Sequence, residues 1–414
     1  MSLIRLAAAC VAASITFTPA AAQQTNYARL YETLWSTVNE NYYDPHFRGT
    51  DWTAQRERYR ARVEAAQSDA EFHTVASEML GEIVGSHLYI SPPARAQGAA
   101  RIGARFITLD DEVIVAEVAP LSDAYAQGLR PGDRLLSPPE ALRGDIGATA
   151  ELRIRTCSNR LRTLEVRREH AFWPPEHPGF RWSQIRTDPN RRIGYMRIDR
   201  FDDGAAALAD QAMSELQNAD AIIIDVRNNS GGNVSSLRLA SYFNGGQAQS
   251  AVVLLARPYL EALGRPVTAA DIAAAPRVDH AYTTADVFEA MSEHNAGAAF
   301  WIDANPNQFT GPVFVLISEE TGSAGEGFAW YMRENTRARL IGVQTAGALL
   351  SSESFDIGEG WSVTVPVHGI WAPDGTDYGD RATAPHEELR PTRADLCAGR
   401  DPVLEAALRQ ARTD

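Results

Sequence analysis

Three short stretches carry residue types that could do covalent chemistry. The first is "GPVFVLISEETGSAGEGFAW", residues 311–330, where a strand pattern meets a helix pattern across small residues, with Ser323 near the centre. A serine on a tight strand-to-helix turn projects its hydroxyl from the end of a sheet. The amide of the next residue, here Ala324, points the same way and can serve an oxyanion. Helix capping, a role that serine favours, would place the same residue at the same point. The second stretch is "IIIDVRNNSGGN", residues 222–233, which closes on Gly231-Gly232. Glycines permit positive φ and a close approach of backbone N–H groups to a ligand; an ordinary strand-to-helix turn would also use them. The third is "LGEIVGSHLYI", residues 80–90, where His87 follows Ser86. A serine needs a base to become nucleophilic and histidine titrates in the right range. A structural histidine is the alternative.

The elements that must position these groups fall into three regions. From Gln24 to about Ser91 the pattern is helical: "YARLYETLWSTVNENYY" sets Leu30, Leu34 and Val38 at helical spacing, and Ser68 with Glu71 fits a capping box. From Ala100 to about Arg168 short strands alternate with turns. Within that region "APLSDAYAQGLRPGDRLLS" resembles a PDZ domain, whose helix and neighbouring strand form a groove for an extended peptide end. The Pro- and aromatic-rich "HAFWPPEHPGF" is a linker. Beyond it strands and helices alternate: "RIGYMRIDRF", "GAAALADQAMSELQNA", the buried run "DAIIIDVRNN", then "GPVFVLI" and "ARLIGVQT". That order argues an α/β architecture with a largely parallel sheet. The Ala-rich segment between Ala251 and Phe300 shows no motif.

Composition narrows the function classes. The chain has 414 residues, 44% of them hydrophobic, enough for two or three domains with their own cores. A formal net charge of −14 argues against nucleic acid as a partner. All 39 basic residues are Arg, so no mechanism that needs a lysine base can operate. The N-terminal "MSLIRLAAACVAASITFTPAAAQQ" reads as a secretory signal peptide over residues 1–22, and no stretch has the length of a membrane span. Export permits a disulfide between Cys157 and Cys397, although their sequence separation leaves open whether they meet. Neither the histidines nor the cysteines form a metal-binding spacing, and no cofactor is expected.

Together the motifs resemble the tail-specific or C-terminal-processing serine peptidases, peptidase family S41, and in particular their tricorn-core-like branch. "YDPHFRGTDW" and "GSHLYI" resemble the family's helical entry, and "AIIIDVRNNSGGN" its oxyanion loop. "GSAGEGFAWYMREN" resembles its nucleophile turn, and "LIGVQTAG", "SVTVPV" and "AGRDPVLEAAL" follow in the family's order. The resemblance implies a helical region over 23–92 carrying the histidine, a PDZ-like domain over 98–168, and an S41-type core over 180–412. That core would adopt a crotonase-like or ClpP-like ββα superhelix. The processing-protease branch uses a lysine base, but the matching position here is Ala348 and the chain has no lysine. The tricorn-like branch uses serine, histidine and an acid, with a second serine beside the histidine, as in Gly85-Ser86-His87.

Carried over, Ser323 is the nucleophile and His87 the general base. Ser86 orients the site, and Gly231, Gly232 and Ala324 build the oxyanion hole. The branch's acid is a Glu, and alignment on Pro385 puts Gly379 in its place. Asp380, one position on, is the expected acid, with Asp377 and Glu353 as alternatives. The implied function is an exported serine endopeptidase acting on peptides or unfolded protein ends. The alternative is an inactive binding protein for peptides or small hydrophobic ligands on the same scaffold.

Overall fold

A computed structural model describes residues 26–93, 100–169, 179–188, 191–294 and 297–413. The signal-peptide reading and most of the linker lie outside these residues. No described helix is long and apolar enough to cross a membrane.

The chain opens with α1 (Tyr27–Asn41), α2 (Trp52–Glu64) and α3 (Asp69–Leu80). Each starts on a side-chain cap: Asn26, Asp51 and Ser68 accept from the amides of Arg29, Ala54 and Glu71. Glu71 reaches back to the Gln67 amide at 2.8 Å rather than to that of Ser68, one residue beyond the expected capping box. The helical region ends at Leu80, so His87 stands on a loop before β1 (Tyr89–Ser91).

Next come β2 (Ala100–Arg101), β3 (Ala104–Leu109), β4 (Glu112–Val118), α4 (Asp123–Ala126), β5 (Arg134–Leu135), β6 (Arg143–Gly144), β7 (Thr149–Arg155) and β8 (Leu161–Arg167). Five of these strands form an antiparallel sheet, β3-β4-β5-β7-β8, and β2 pairs with β6. Burial along β7 alternates, so Ala150, Leu152 and Ile154 face a small separate core with Val115, Leu129 and Leu164.

The larger part contains β9 (Phe180–Asp188), β10 (Arg191–Ile198), α5 (Ala205–Leu216), β11 (Ala221–Asp225), α6 (Ser236–Ala240), β12 (Gln249–Ala256), α7 (Arg257–Leu263), α8 (Ala269–Ala273), β13 (Arg277–Val278), α9 (Thr284–Glu293) and β14 (Gly297–Ile302). It continues through β15 (Val313–Ile317), α10 (Ala324–Asn335), β16 (Arg339–Gly342), β17 (Ser351–Gly358), β18 (Trp361–Trp371), β19 (Glu387–Glu388), α11 (Arg393–Cys397) and α12 (Pro402–Thr413). One six-stranded sheet runs β19-β16-β15-β11-β10-β9, parallel except at β9–β10. β11 and β15 are buried at every position because both faces are covered. Ile222 and Ile224 pack toward α5 and α10, while Ile223 packs with Phe314, Ile341 and the Ala406–Ala407 face of α12. Each such isoleucine contributes roughly 1.5–3 kcal/mol.

The second six-stranded sheet joins β1, β18, β12, β14 and β13, with β17 on the other edge of β18. It is mostly antiparallel, a layer not legible in the β-α-β order. Its face packs on the N-terminal helices through Leu34, Val38 and Phe72 against Trp361, Val363 and Val365. The N-terminal helices therefore share a core with strands from residues 249–371, which carries the loop of His87 to the far end of the chain.

Candidate active site

The turn after β15 is built by contacts to the loop after β11. Thr321 Oγ1 donates to the Val226 carbonyl at 2.9 Å, and the Gly322 amide donates to the Asn229 carbonyl at 2.9 Å. Ser323 follows with φ +50° and ψ −124°. A non-glycine residue at positive φ is held there at a cost on the order of 1–3 kcal/mol. Ser323 occupies the N-cap position of α10, yet its side chain makes no capping hydrogen bond. Its amide donates instead to the Ala348 carbonyl. The capping alternative therefore does not account for this serine.

Both glycines of the second motif are required by close approach. A Cβ on Gly231 would lie 2.4 Å from Ser323 Cβ and 2.8 Å from its Oγ. A Cβ on Gly232 would lie 1.8 Å from the Phe201 carbonyl oxygen. Their φ angles are +124° and +140°. The Gly231 amide is already engaged, donating to Asn229 Oδ1 at 2.9 Å. Among the described residues the amides of Gly232 and Ala324 donate to no protein acceptor. Asn229 is fully buried, and its Nδ2 donates to the Ile198 carbonyl at 3.1 Å. It thereby holds the glycine loop and the Ser323 turn together. Its place in a polar "RNNSGGN" gave no sign of burial.

His87 has φ +61° and lines the same cavity as Ser323 and Gly232, a space of about 290 Å³. Its Nδ1 is buried with no protein partner among the described residues. Burial pushes the imidazole below its ordinary pKa of 6.5, and the Asp380 charge opposes that shift. Asp380 meets the histidine loop without bonding the ring: its Oδ1 accepts from the Ser86 amide at 2.7 Å, and its Oδ2 accepts from Arg48 Nη1. Arg48 Nη2 donates to Asp377 Oδ2 at 3.3 Å. Ser86 Oγ accepts from the Leu350 amide at 3.5 Å. Glu353 is exposed on β17 at the rim of the cavity. The structure thus gathers Ser323, Gly231, Gly232, Ala324, His87, Ser86 and Asp380 in one region.

Three further groups escaped the sequence reading. Arg48, in the "HFRG" turn at φ +52°, clamps both aspartates. Glu326, one turn into α10, is fully buried; Oε1 accepts from Thr345 Oγ1 and the Thr383 amide, and Oε2 from the Gly347 amide at 2.7 Å. An acid three residues past a helix start reads as an ordinary first-turn charge. His368 lines the cavity from β18, bonded through Nδ1 to Ser351 Oγ at 3.2 Å, and burial pushes its pKa down to about 4.

Residues 192–389 match the peptidase family S41 model, and residues 23–81 match the tricorn protease C1 domain. The chain thus carries a peptidase family S41 domain over residues 192–389. It therefore falls among the hydrolases. It is 24% identical over 424 residues to a putative tricorn protease homolog 2 of Streptomyces coelicolor, covering 93% of this chain and 32% of that protein. It is 25% identical over 418 residues to a carboxyl-terminal-processing protease of Synechocystis, covering 94% of this chain and 88% of that protein. The chain thus spans about a third of the tricorn relative and most of the processing protease. The fold is similar to the photosystem II D1 C-terminal processing protease, with TM-score 0.56, 20% identity, and coverage of 90% of this chain and 97% of that one. It is also similar to mature CPAF complexed with lactacystin, with TM-score 0.60, 14% identity, and coverage of 93% and 100%.

Proposed function

We propose that this S41 chain is an exported serine endopeptidase that hydrolyses peptides or unfolded protein ends through Ser323 and His87. One observation carries the reading: Ser323 is held at positive φ, without a capping bond, against Gly231 in the cavity that His87 lines. Ser323 Oγ attacks the scissile carbonyl while His87 takes its proton. The amides of Gly232 and Ala324 receive the oxyanion; Gly231 shapes their loop, since its own N–H is engaged. The tetrahedral intermediate collapses, the C–N bond breaks, and His87 returns the proton to the leaving amine. Water then hydrolyses the acyl-enzyme by the same route.

Asp380 is the acid of this arrangement. It acts on the imidazolium as a fixed negative charge, and its bonds to Ser86 and Arg48 hold the histidine loop in place. The core is read as the ClpP-like superhelix and the sheet β3-β4-β5-β7-β8 as a PDZ-like module that presents substrate ends. Export is supported by the disulfide joining Cys157 to Cys397, since such bonds persist in oxidising compartments. The test is hydrolysis of an unfolded protein by wild type, Ser323→Ala and His87→Ala. Both variants should fall by three orders of magnitude or more, on the order of the loss when a triad member is removed. Cleavage at the wild-type rate by either variant would end this reading.

A further inference from the structure

The cavity beside Ser323 has one wall that the catalytic arrangement does not explain. α9 presents Thr284, Val287, Phe288 and Met291 to it. Those positions are spaced i, i+3, i+4 and i+7, a single helix face. Phe288 is 58% exposed, although Ala290 on the same helix is buried. A large apolar side chain left open inside a cavity lined by the candidate nucleophile is placed to meet a ligand rather than a core.

The same helix is tied to the oxyanion loop. Asp203 Oδ1 accepts from the Thr284 amide at 2.8 Å and from Thr284 Oγ1 at 3.0 Å. It also accepts from Asn233 Nδ2, the residue after Gly232. Asn233 Nδ2 reaches Thr284 Oγ1 as well, at 3.1 Å. The Asn233 amide donates to the Phe201 carbonyl at 2.7 Å, two residues before Asp203. A capping box fixes the start of α9 itself: Thr283 Oγ1 accepts from the Asp286 amide at 3.1 Å, and Asp286 Oδ2 accepts from the Thr283 amide at 2.8 Å.

Resting on the reading of Ser323 as nucleophile, we propose that α9 is the specificity element of this peptidase. Its Val287-Phe288-Met291 face takes the large apolar side chain of the substrate residue that donates the acyl group. Asp203 is a positioning residue that sets the oxyanion loop relative to that wall. A side chain seated on α9 is thereby aligned with the amide of Gly232, so a matching substrate gains in kcat as well as in binding. Because the linking bonds lie at an exposed side chain, their loss costs a several-fold rate rather than abolition.

The experiment uses two fluorogenic peptides that differ only in the acyl-donating residue, Phe or Ala. Wild type should prefer Phe in kcat/KM by roughly tenfold or more, and Phe288→Ala should bring that ratio close to one. Asp203→Ala should lower kcat several-fold with KM little changed, while Asp203→Asn, which keeps the accepting Oδ1, restores it. An unchanged Phe/Ala ratio in Phe288→Ala, or equal kcat in the two Asp203 variants, overturns the proposal. Fluorophosphonate labelling of the same wild-type preparation separates the two levels. Label on Ser323 with an unaltered ratio removes only the role of α9, and absence of label removes the nucleophile reading and this proposal with it.

Discussion

At the scale of single residues, the chemistry turns on how burial and charge set His87. Desolvation holds its pKa below 6.5. A general base works only when neutral, so kcat/KM should fall on the acid side with a midpoint below 6.5 and hold a plateau through neutral pH. Asp380 pulls in the opposite direction, stabilising the imidazolium. Asp380→Asn removes that charge while leaving an oxygen for the Ser86 amide. The acid limb should then move to still lower pH, and kcat should fall because the protonated intermediate loses its stabilising partner. A pH–rate profile on one peptide reads both effects; a limb that moves upward in Asp380→Asn would refute the assignment of the acid.

At the scale of elements, four segments converge because one buried carboxylate joins three of them. Glu326 anchors α10 to the loop of Thr345 and Gly347 and to the loop of Thr383. Through Leu349, whose amide donates to the Gly379 carbonyl at 2.9 Å, and Leu350, the first loop also reaches Gly379 and Ser86. Glu326→Gln turns one accepting oxygen into a donor facing other donors. The expected cost is about 2–3 kcal/mol, the penalty of an unmatched buried group that had bonded a charge, measured by urea unfolding. A variant as stable as wild type would show that these bonds do not hold the loops. β11 and β15 were legible in the sequence because "AIIID" and "VFVLI" are continuous apolar runs, and Ser323 and Gly231-Gly232 because they sit where those runs end. Glu326, Asn229 and Arg48 were not, since burial by tertiary contact leaves no local periodicity. The face of α9 was hidden in the same way: in an Ala-rich segment its four positions stand out only once the cavity is present.

At the scale of the whole molecule, the antiparallel module is fastened to the core rather than hung from it. Cys157, beyond β7, is joined to Cys397 at the end of α11, 240 residues away. Arg393 of α11 donates to the carbonyls of Gly132 and Thr156, each at 2.9 Å. Arg197 of β10 pairs with Glu117 of β4 at 2.9 Å, and Arg105 of β3 with Glu320, in the turn that leads to Ser323, at 2.9 Å. Closing so long a loop should make the disulfide worth about 2–5 kcal/mol. Reduction with dithiothreitol should therefore lower the urea midpoint, and the Cys157→Ala/Cys397→Ala variant should match the reduced wild type and ignore the reductant. A midpoint unmoved by reduction would mean that Arg393 and the ion pairs alone hold the module.

The central claim is that Ser323 is a nucleophile activated by His87, and covalent trapping tests it most directly. Wild type incubated with a fluorophosphonate should take up one label per chain, located on Ser323 by peptide mass spectrometry. Ser323→Ala should take up none, and His87→Ala should label far more slowly. Failure of wild type to label, a label on another residue, or labelling of His87→Ala at the wild-type rate would contradict the account.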